Sequence, residues 1–267
     1  MGTQTQSITQ REIDLKNYII LEGKSHGSYS YPDLLVAMDK RHHDTSWYAT
    51  HTALHAKDEF MLPPREWVDF IKLLKPGKAY DGNGKRVDTA RLTNILNEIW
   101  EIRSPWRVEH LDAYFEDKNG VLYINSKHRT VNGELKPQYT APLEECLMEG
   151  RVPGIDLDYW LNNATKQGMP PSNIPEGELY YMHPRATYVA RFGAGSGGAS
   201  LDCNWVPVVS GPALGVRVVR ERESAEGVRI SAPSLEQVLG IAKQHLEPEA
   251  LEAYRKDLKE LYGQKQK

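Results

Sequence analysis

Residues 180–220, YYMHPRATYVARFGAGSGGASLDCNWVPVVSGPALGVRVVR, constrain this chain more than any other stretch. The segment reads as β-rich and closes on a short apolar run, 213–220, with the signature of a buried strand. Ahead of that run lie small, turn-prone and hydroxyl-bearing side chains. Within 186–213, Trp205 is the sole member of the set Lys, Glu, Gln, Met and Trp. A segment of this kind accepts many different side chains without a change of fold. It points to a display surface with specificity in replaceable residues, and away from a fixed catalytic constellation.

Alternation within the segment assigns faces. Ala199, Leu201, Cys203 and Trp205 share one phase and are expected to face the core. Ser200, Asp202, Asn204 and Val206 share the other and are expected to face solvent. Ala190 and Phe192 should likewise point inward, leaving Val189, Arg191 and Gly193 on the opposite face. The run from Gly193 to Gly198 superficially resembles a phosphate loop or a GxSxG elbow. Both need a helix after the glycines, and the sequel here alternates like a strand, so a turn between strands is expected.

A length of 267 residues is enough for one large domain or two small ones with a substantial core. The formal net charge of -3 lacks the concentrated basic face that nucleic acid requires. No apolar run reaches the roughly 18–20 residues of a membrane span. The polar start has no apolar h-region, so no secretory signal is expected. Cytoplasmic location is the default expectation, with a virion or export by another route left open. Cys146 and Cys203 are expected as buried free thiols, since two cysteines give neither a disulfide framework nor a four-cysteine metal site. The sequence calls for no cofactor.

Along the chain, residues 1–17 are polar. An early strand is expected at Leu34–Met38, then a helix over 47–57 capped by Thr45 or Ser46. Pro63 and Pro64 suit a helix entry, and Trp67, Phe70, Ile71 and Leu74 fall on one face of the helix that follows. A helix is expected over 89–103. Strands over 106–115 and 121–124 form a pair, with a tighter turn at 131–134. Short helices are expected over 142–150 and 157–165. Strand-rich sequence begins at Glu178. Beyond Arg222 the pattern changes again: Leu235, Val238, Leu239, Ala242 and Leu246, then Leu251, Tyr254, Leu258 and Leu261, mark two amphipathic helices in a C-terminal tail, 223–267.

The histidine group is the most enzyme-like feature. His51 and His55, four apart, would share one helix face, as a zinc site needs; His42 and His43-Asp44 lie just upstream. No glutamate follows His51, so this is not the HExxH arrangement. Half-buried histidines beside a helix are the expected outcome, and a metal-dependent enzyme using His42, His51 and His55 is the alternative.

Two patches carry a family resemblance. Residues 214–219, LGVRVV, are similar to the terminal Ile-Gly-Phe-Arg-Val-Val strand of the variable proteins of diversity-generating retroelements. Residues 60–67, FMLPPREW, resemble that family's Arg-Leu-Pro-Thr-x-x-Glu-Trp helix entry, departing from it at Met61 and Pro64. The order of elements, helices early and strands late, agrees over roughly 31–220, and the pattern looks closest to archaeal members. The tail beyond Arg222 is a departure. The resemblance implies an α+β chain with a C-type lectin fold of the formylglycine-generating-enzyme subtype over 18–222. It also implies a hypervariable region over about 186–213 and an unidentified ligand, a protein, in a non-enzymatic binder.

In such retroelements template adenines are randomised, so asparagine codons become NNY, which cannot encode Lys, Glu, Gln, Met or Trp. The depletion within 186–213 fits that rule, although a glycine-rich β segment is also poor in Lys and Glu. The resemblance then implies variable, ligand-contacting positions at Ala186, Thr187, Tyr188, Gly193, Gly195, Gly197, Gly198, Ser200, Asp202, Asn204, Val208, Val209, Gly211 and Pro212. Tyr188, Asp202 and Asn204 would give most of the specific contacts. An oxidase on the related formylglycine-generating scaffold is the enzymatic alternative, but its paired cysteines are not matched by Cys146 and Cys203. A phage or viral adhesin would share the binding mechanism. The Glu-Pro-Asn and Trp-Asn-Asp calcium signatures of sugar-binding lectins are missing.

Overall fold

A computed structural model describes residues 15–222. The compact unit ends at Arg222. The two helices expected over 223–267, and the polar start up to residue 14, lie outside the described residues.

The described chain is α+β. Its strands are β1 (Tyr18–Leu21), β2 (Lys24–His26), β3 (Tyr29–Tyr31), β4 (Leu34–Arg41), β5 (Phe60–Met61), β6 (Arg107–Lys118), β7 (Val121–Val131), β8 (Glu134–Pro142), β9 (Arg151–Ile155), β10 (Leu179–Met182), β11 (Val189–Gly195), β12 (Gly198–Trp205) and β13 (Leu214–Glu221). Four helices intervene: α1 (Trp47–His55), α2 (Pro64–Leu74), α3 (Thr89–Trp100) and α4 (Leu157–Asn163). Eleven strands form one sheet, whose main path runs β1-β4-β13-β6-β11-β12-β10-β9. β5 adds to β13, and β7 and β8 extend from β6 as a meander. Among the described residues no helix is long and apolar enough to cross a membrane.

Local chemistry accounts for most of these elements. α2 opens with Pro64 in its first turn, where the missing amide costs nothing, and buries Trp67, Phe70, Ile71 and Leu74. Ser46 caps α1, Asp88 caps α3 and Asp156 caps α4, each side chain accepting from a backbone amide of the first turn. Asn119-Gly120 and Asn132-Gly133 all have positive φ, the turn that matches the twist of a two-residue hairpin, and they join β6 to β7 and β7 to β8.

The sheet buries both faces. On one side α2, α3 and α4 close a core that includes Trp67, Phe70, Trp160, Phe115, Phe192, Leu201 and Cys203. On the other, Trp47 and Leu54 of α1 join Tyr18, Leu35, Met61, Val189, Val216 and Val218. Each large side chain so buried contributes about 1.5–3 kcal/mol. β13 lies between, every residue from Leu214 to Val219 buried. Its Arg217 is held by Glu109 of β6 at 2.6 Å and donates to the Ala37 and Met38 carbonyls of β4. Glu109 also takes Arg107 at 2.9 Å, so this buried charge is paired from two sides.

The structure corrects several expectations. Residues 142–150 form no helix. Their backbone is tied outward instead: the Pro142 carbonyl accepts from Gln167, Glu144 donates to Gln167, and Leu147 donates to the Pro170 carbonyl. The early strand runs on to Arg41, while α1, α3 and α4 stop at His55, Trp100 and Asn163. β8 and β9, and the small β2–β3 pair, carry no alternation strong enough to read. β9 even contains Pro153, which a sheet tolerates at an edge, and β9 is the terminal strand of the path.

Candidate functional site

The β11–β12 hairpin turns at Ser196-Gly197, with Gly195 opposite Gly198. Strict pairing continues through Gly193 with Ser200 and Arg191 with Asp202. The register then shifts, and Val189 faces Trp205. That step takes two residues on β11 and three on β12, so a bulge inverts the alternation. Leu201 and Cys203 keep the expected inward phase, with Ala199 packed beside them. Trp205 does not: it packs on the opposite cluster, with Val189. Ala190 and Phe192 are buried in the first core as expected.

The bulge builds a compact polar knot. Arg191 donates through Nε and Nη2 to Asp202 Oδ2 at 3.0 and 2.8 Å. Its guanidinium lies 3.2 Å from the Trp205 ring centroid and 4.9 Å from that of Trp106. Asp202 Oδ1 also accepts from the Asn204 amide at 3.1 Å. Asp202 is only 8% exposed, which corrects its expected place on the solvent face. Burial pushes Arg191 below its ordinary pKa, against the pull of Asp202. This pair holds the hairpin; its charges face each other and not solvent.

The other positions sort by room. Thr187, Gly197, Val208, Val209 and Pro212 are exposed, and a side chain at Gly211 would meet nothing within 4 Å. Ala186, Tyr188, Ser200 and Asn204 are half-buried. Gly193 is different: a Cβ there would sit 2.7 Å from Val108 Cγ2 and 3.0 Å from the Arg107 carbonyl, and Gly195 is crowded by Trp106 in the same way. Gly198 has φ +131°, which L side chains rarely adopt. The loop over 206–213 is anchored at its base, where the Pro207 carbonyl accepts from the Trp47 amide at 3.0 Å.

That same amide opens α1, and α1 carries the histidines onto the sheet. His51 and His55 share its inner face, with ring centroids 5.3 Å apart. His42 does not join them; it sits at positive φ beyond β4, its carbonyl accepting from Thr45. The set is completed by two residues the sequence did not single out, Asp112 of β6 and His128 of β7. Lys127 has a positive φ of 54° within β7, whose register with β8 stays unbroken, and Ser126 and His128 on either side of it are both buried. His128 turns onto Asp112, donating its amide to Oδ2 at 2.9 Å, with Nδ1 2.5 Å from Oδ1. His51 Nε2 lies 3.5 Å from the same Oδ1 without a hydrogen bond.

Ligand atoms of His51, Asp112 and His128 all fall within 4.8 Å of one another, and all three residues are buried. Trp47 roofs the group, its ring edge-on to His51 and His128 and its Nε1 donating to the Leu111 carbonyl. Burial pushes His51 down to about 3, so the ring is neutral despite Asp112. Burial works to raise the Asp112 carboxyl, but His128 and His51 outweigh it and hold the group below its usual range, ionised. The signal that could have found this site was polar alternation on one long strand: His110 and Asp112 stand two apart in β6, among apolar neighbours.

The thiols offer no chemistry. Cys146 and Cys203 are buried and unbridged. Burial pushes Cys146 up to about 12 and Cys203 well above its ordinary value, so neither is a thiolate. Compared with protein-family models, with curated proteins and with solved structures, the chain matches none.

Proposed function

We propose that this chain is a non-enzymatic binding protein, a C-type lectin-type scaffold whose 186–213 surface is diversified by a retroelement and binds a protein ligand. One observation carries the reading furthest. The two patches that bear the family resemblance, far apart in sequence, are neighbours in the fold: β5 pairs with β13, Met61 opposite Val218 and Phe60 opposite Val219. The helix entry and the closing strand thus form one scaffold joint, as a shared fold requires. The absence of Lys, Glu, Gln and Met from 186–213 supports the same reading; the order of elements does not, because four strands precede α1.

In this reading the scaffold is the β13–β6–β11 centre of the sheet, and contacts come from the exposed loop and hairpin positions. Thr187, Gly197, Val208, Val209, Gly211 and Pro212 tolerate replacement; Asp202 and Gly193 belong to the scaffold. Interface physics then supplies the mechanism, a few anchors set among adaptable neighbours. Tyr188 is the aromatic anchor of this variant. The test is the DNA flanking the gene. A near-copy of codons 186–220 beside a reverse-transcriptase frame, differing only at adenines, is expected. A flank with neither copy nor reverse transcriptase would sink the diversification reading and leave a fixed surface.

A further inference from the structure

The buried histidine cluster is not needed for display, and its polar atoms are not satisfied by the protein. His51 is fully buried, and neither ring nitrogen has a hydrogen-bond partner. His55 Nε2 is likewise buried and unpartnered, while its Nδ1 is held 2.8 Å from the Thr130 hydroxyl. An imidazole nitrogen left bare in an apolar site is destabilising, and leucine would fill the position without that penalty. Asp112 faces the same point with its carboxylate, and His128 Nδ1 lies 2.5 Å from it.

We propose that His51, Asp112 and His128 bind a divalent transition-metal ion of zinc type, with His55 Nε2 as fourth donor. Ligand atoms about 2.0–2.1 Å from a tetrahedral ion stand roughly 3.3 Å from one another. The His51–Asp112 separation of 3.5 Å already matches, and the 2.5 Å between His128 and Asp112 opens by less than an ångström when the ion takes the place of the shared proton. His128 then carries its proton on Nε2. Three imidazoles and one carboxylate suit zinc; calcium and magnesium need more oxygens, and copper(I) prefers sulfur, which the site lacks. The Thr130 hydroxyl on the far nitrogen of His55 is the outer-shell contact that fixes a ligand ring. Three donors lie together under the Trp47 roof, and once His55 Nε2 swings in from the next turn of α1 the ion has no open position. It is structural, clamping α1 to β6 and β7 at the base of the 206–213 loop.

The test uses the full chain purified without a metal-affinity tag. Stoichiometric zinc by elemental analysis is expected, together with a tetrahedral cobalt(II) absorption band when the stripped protein is titrated with cobalt. Chelation should lower the thermal midpoint, and zinc should restore it. His55→Gln should weaken cobalt binding about 10–100-fold and alter the band, since it removes one donor. His42→Gln should leave both unchanged. Substoichiometric metal, no visible band and a midpoint indifferent to zinc and chelator would overturn the proposal, as would loss of binding in the His42 variant alone. The wild-type titration decides even where His51→Gln fails to fold.

Discussion

The histidine cluster and the 206–213 loop meet at the start of α1, yet they are built on opposite terms. In the cluster every side chain is fixed by another: His128 by Asp112, His55 by Thr130, both His51 and His128 by the Trp47 ring. In the loop Val208 is 68% exposed and Gly211 borders open space. One region has polar atoms without room, the other has room without polar partners. Substitution is therefore costly in the first and cheap in the second.

The strongest attack on this contrast is Asp112→Ala. It removes both hydrogen bonds between His128 and the buried carboxylate, and a loss of about 3–5 kcal/mol in chemical denaturation is expected. A loss under about 1 kcal/mol would mean that the cluster is not a constraint.

A second attack uses pH and the buried carboxylate of α2. Burial pushes Glu66 up to about 7, against Lys127 and the Tyr29 hydroxyl, whose one proton faces both carboxylate oxygens. An acid with its folded pKa above the ordinary 4.5 holds its proton more tightly in the folded state. Stability should therefore fall as pH rises from about 4.5 to about 7, and level off above that, by an amount on the order of 3 kcal/mol. Glu66→Gln should flatten that limb in a denaturation series across pH. Parallel curves for the two proteins would remove Glu66 from the fixed side.

Within the hairpin the contrast sharpens to single glycines. Gly193→Leu drives a side chain into Val108 and should cost about 1–3 kcal/mol. The smallest effect belongs to the open loop: Gly211→Ser and Val208→Ser should each stay within about 0.5 kcal/mol, read by thermal melts. Equal costs at Gly193 and Gly211 would erase the distinction between scaffold and display positions.

Much of the fold was legible because its signals are local. Pro64 with the Trp67, Phe70, Ile71, Leu74 spacing, the cap at Ser46, and the Asn-Gly turns each act within a few residues, and 214–219 is apolar enough to admit only a buried strand. The site was legible in part: His51 and His55 share a helix face by periodicity alone. Asp112 and His128 could not be joined to them from sequence, because their meeting depends on how β6 pairs with β7 and on where α1 packs against β7. The failed helix over 142–150 has the same origin, since Gln167 and Pro170, some twenty residues on, outbid the local bonds.

By itself, then, the sequence determined the capped helices with their apolar faces, the Asn-Gly hairpins and the closing strand, since propensity, capping and periodicity are short-range. Only the tertiary structure decided what a bulge or a crossover decides: that Trp205 stacks on Arg191 and not in the core, that Asp202 is paired and Gly211 open, and that three residues from α1, β6 and β7 converge on one point. A single inserted residue inverts every later side chain on a strand, and no pattern within the strand records where the partner will force it.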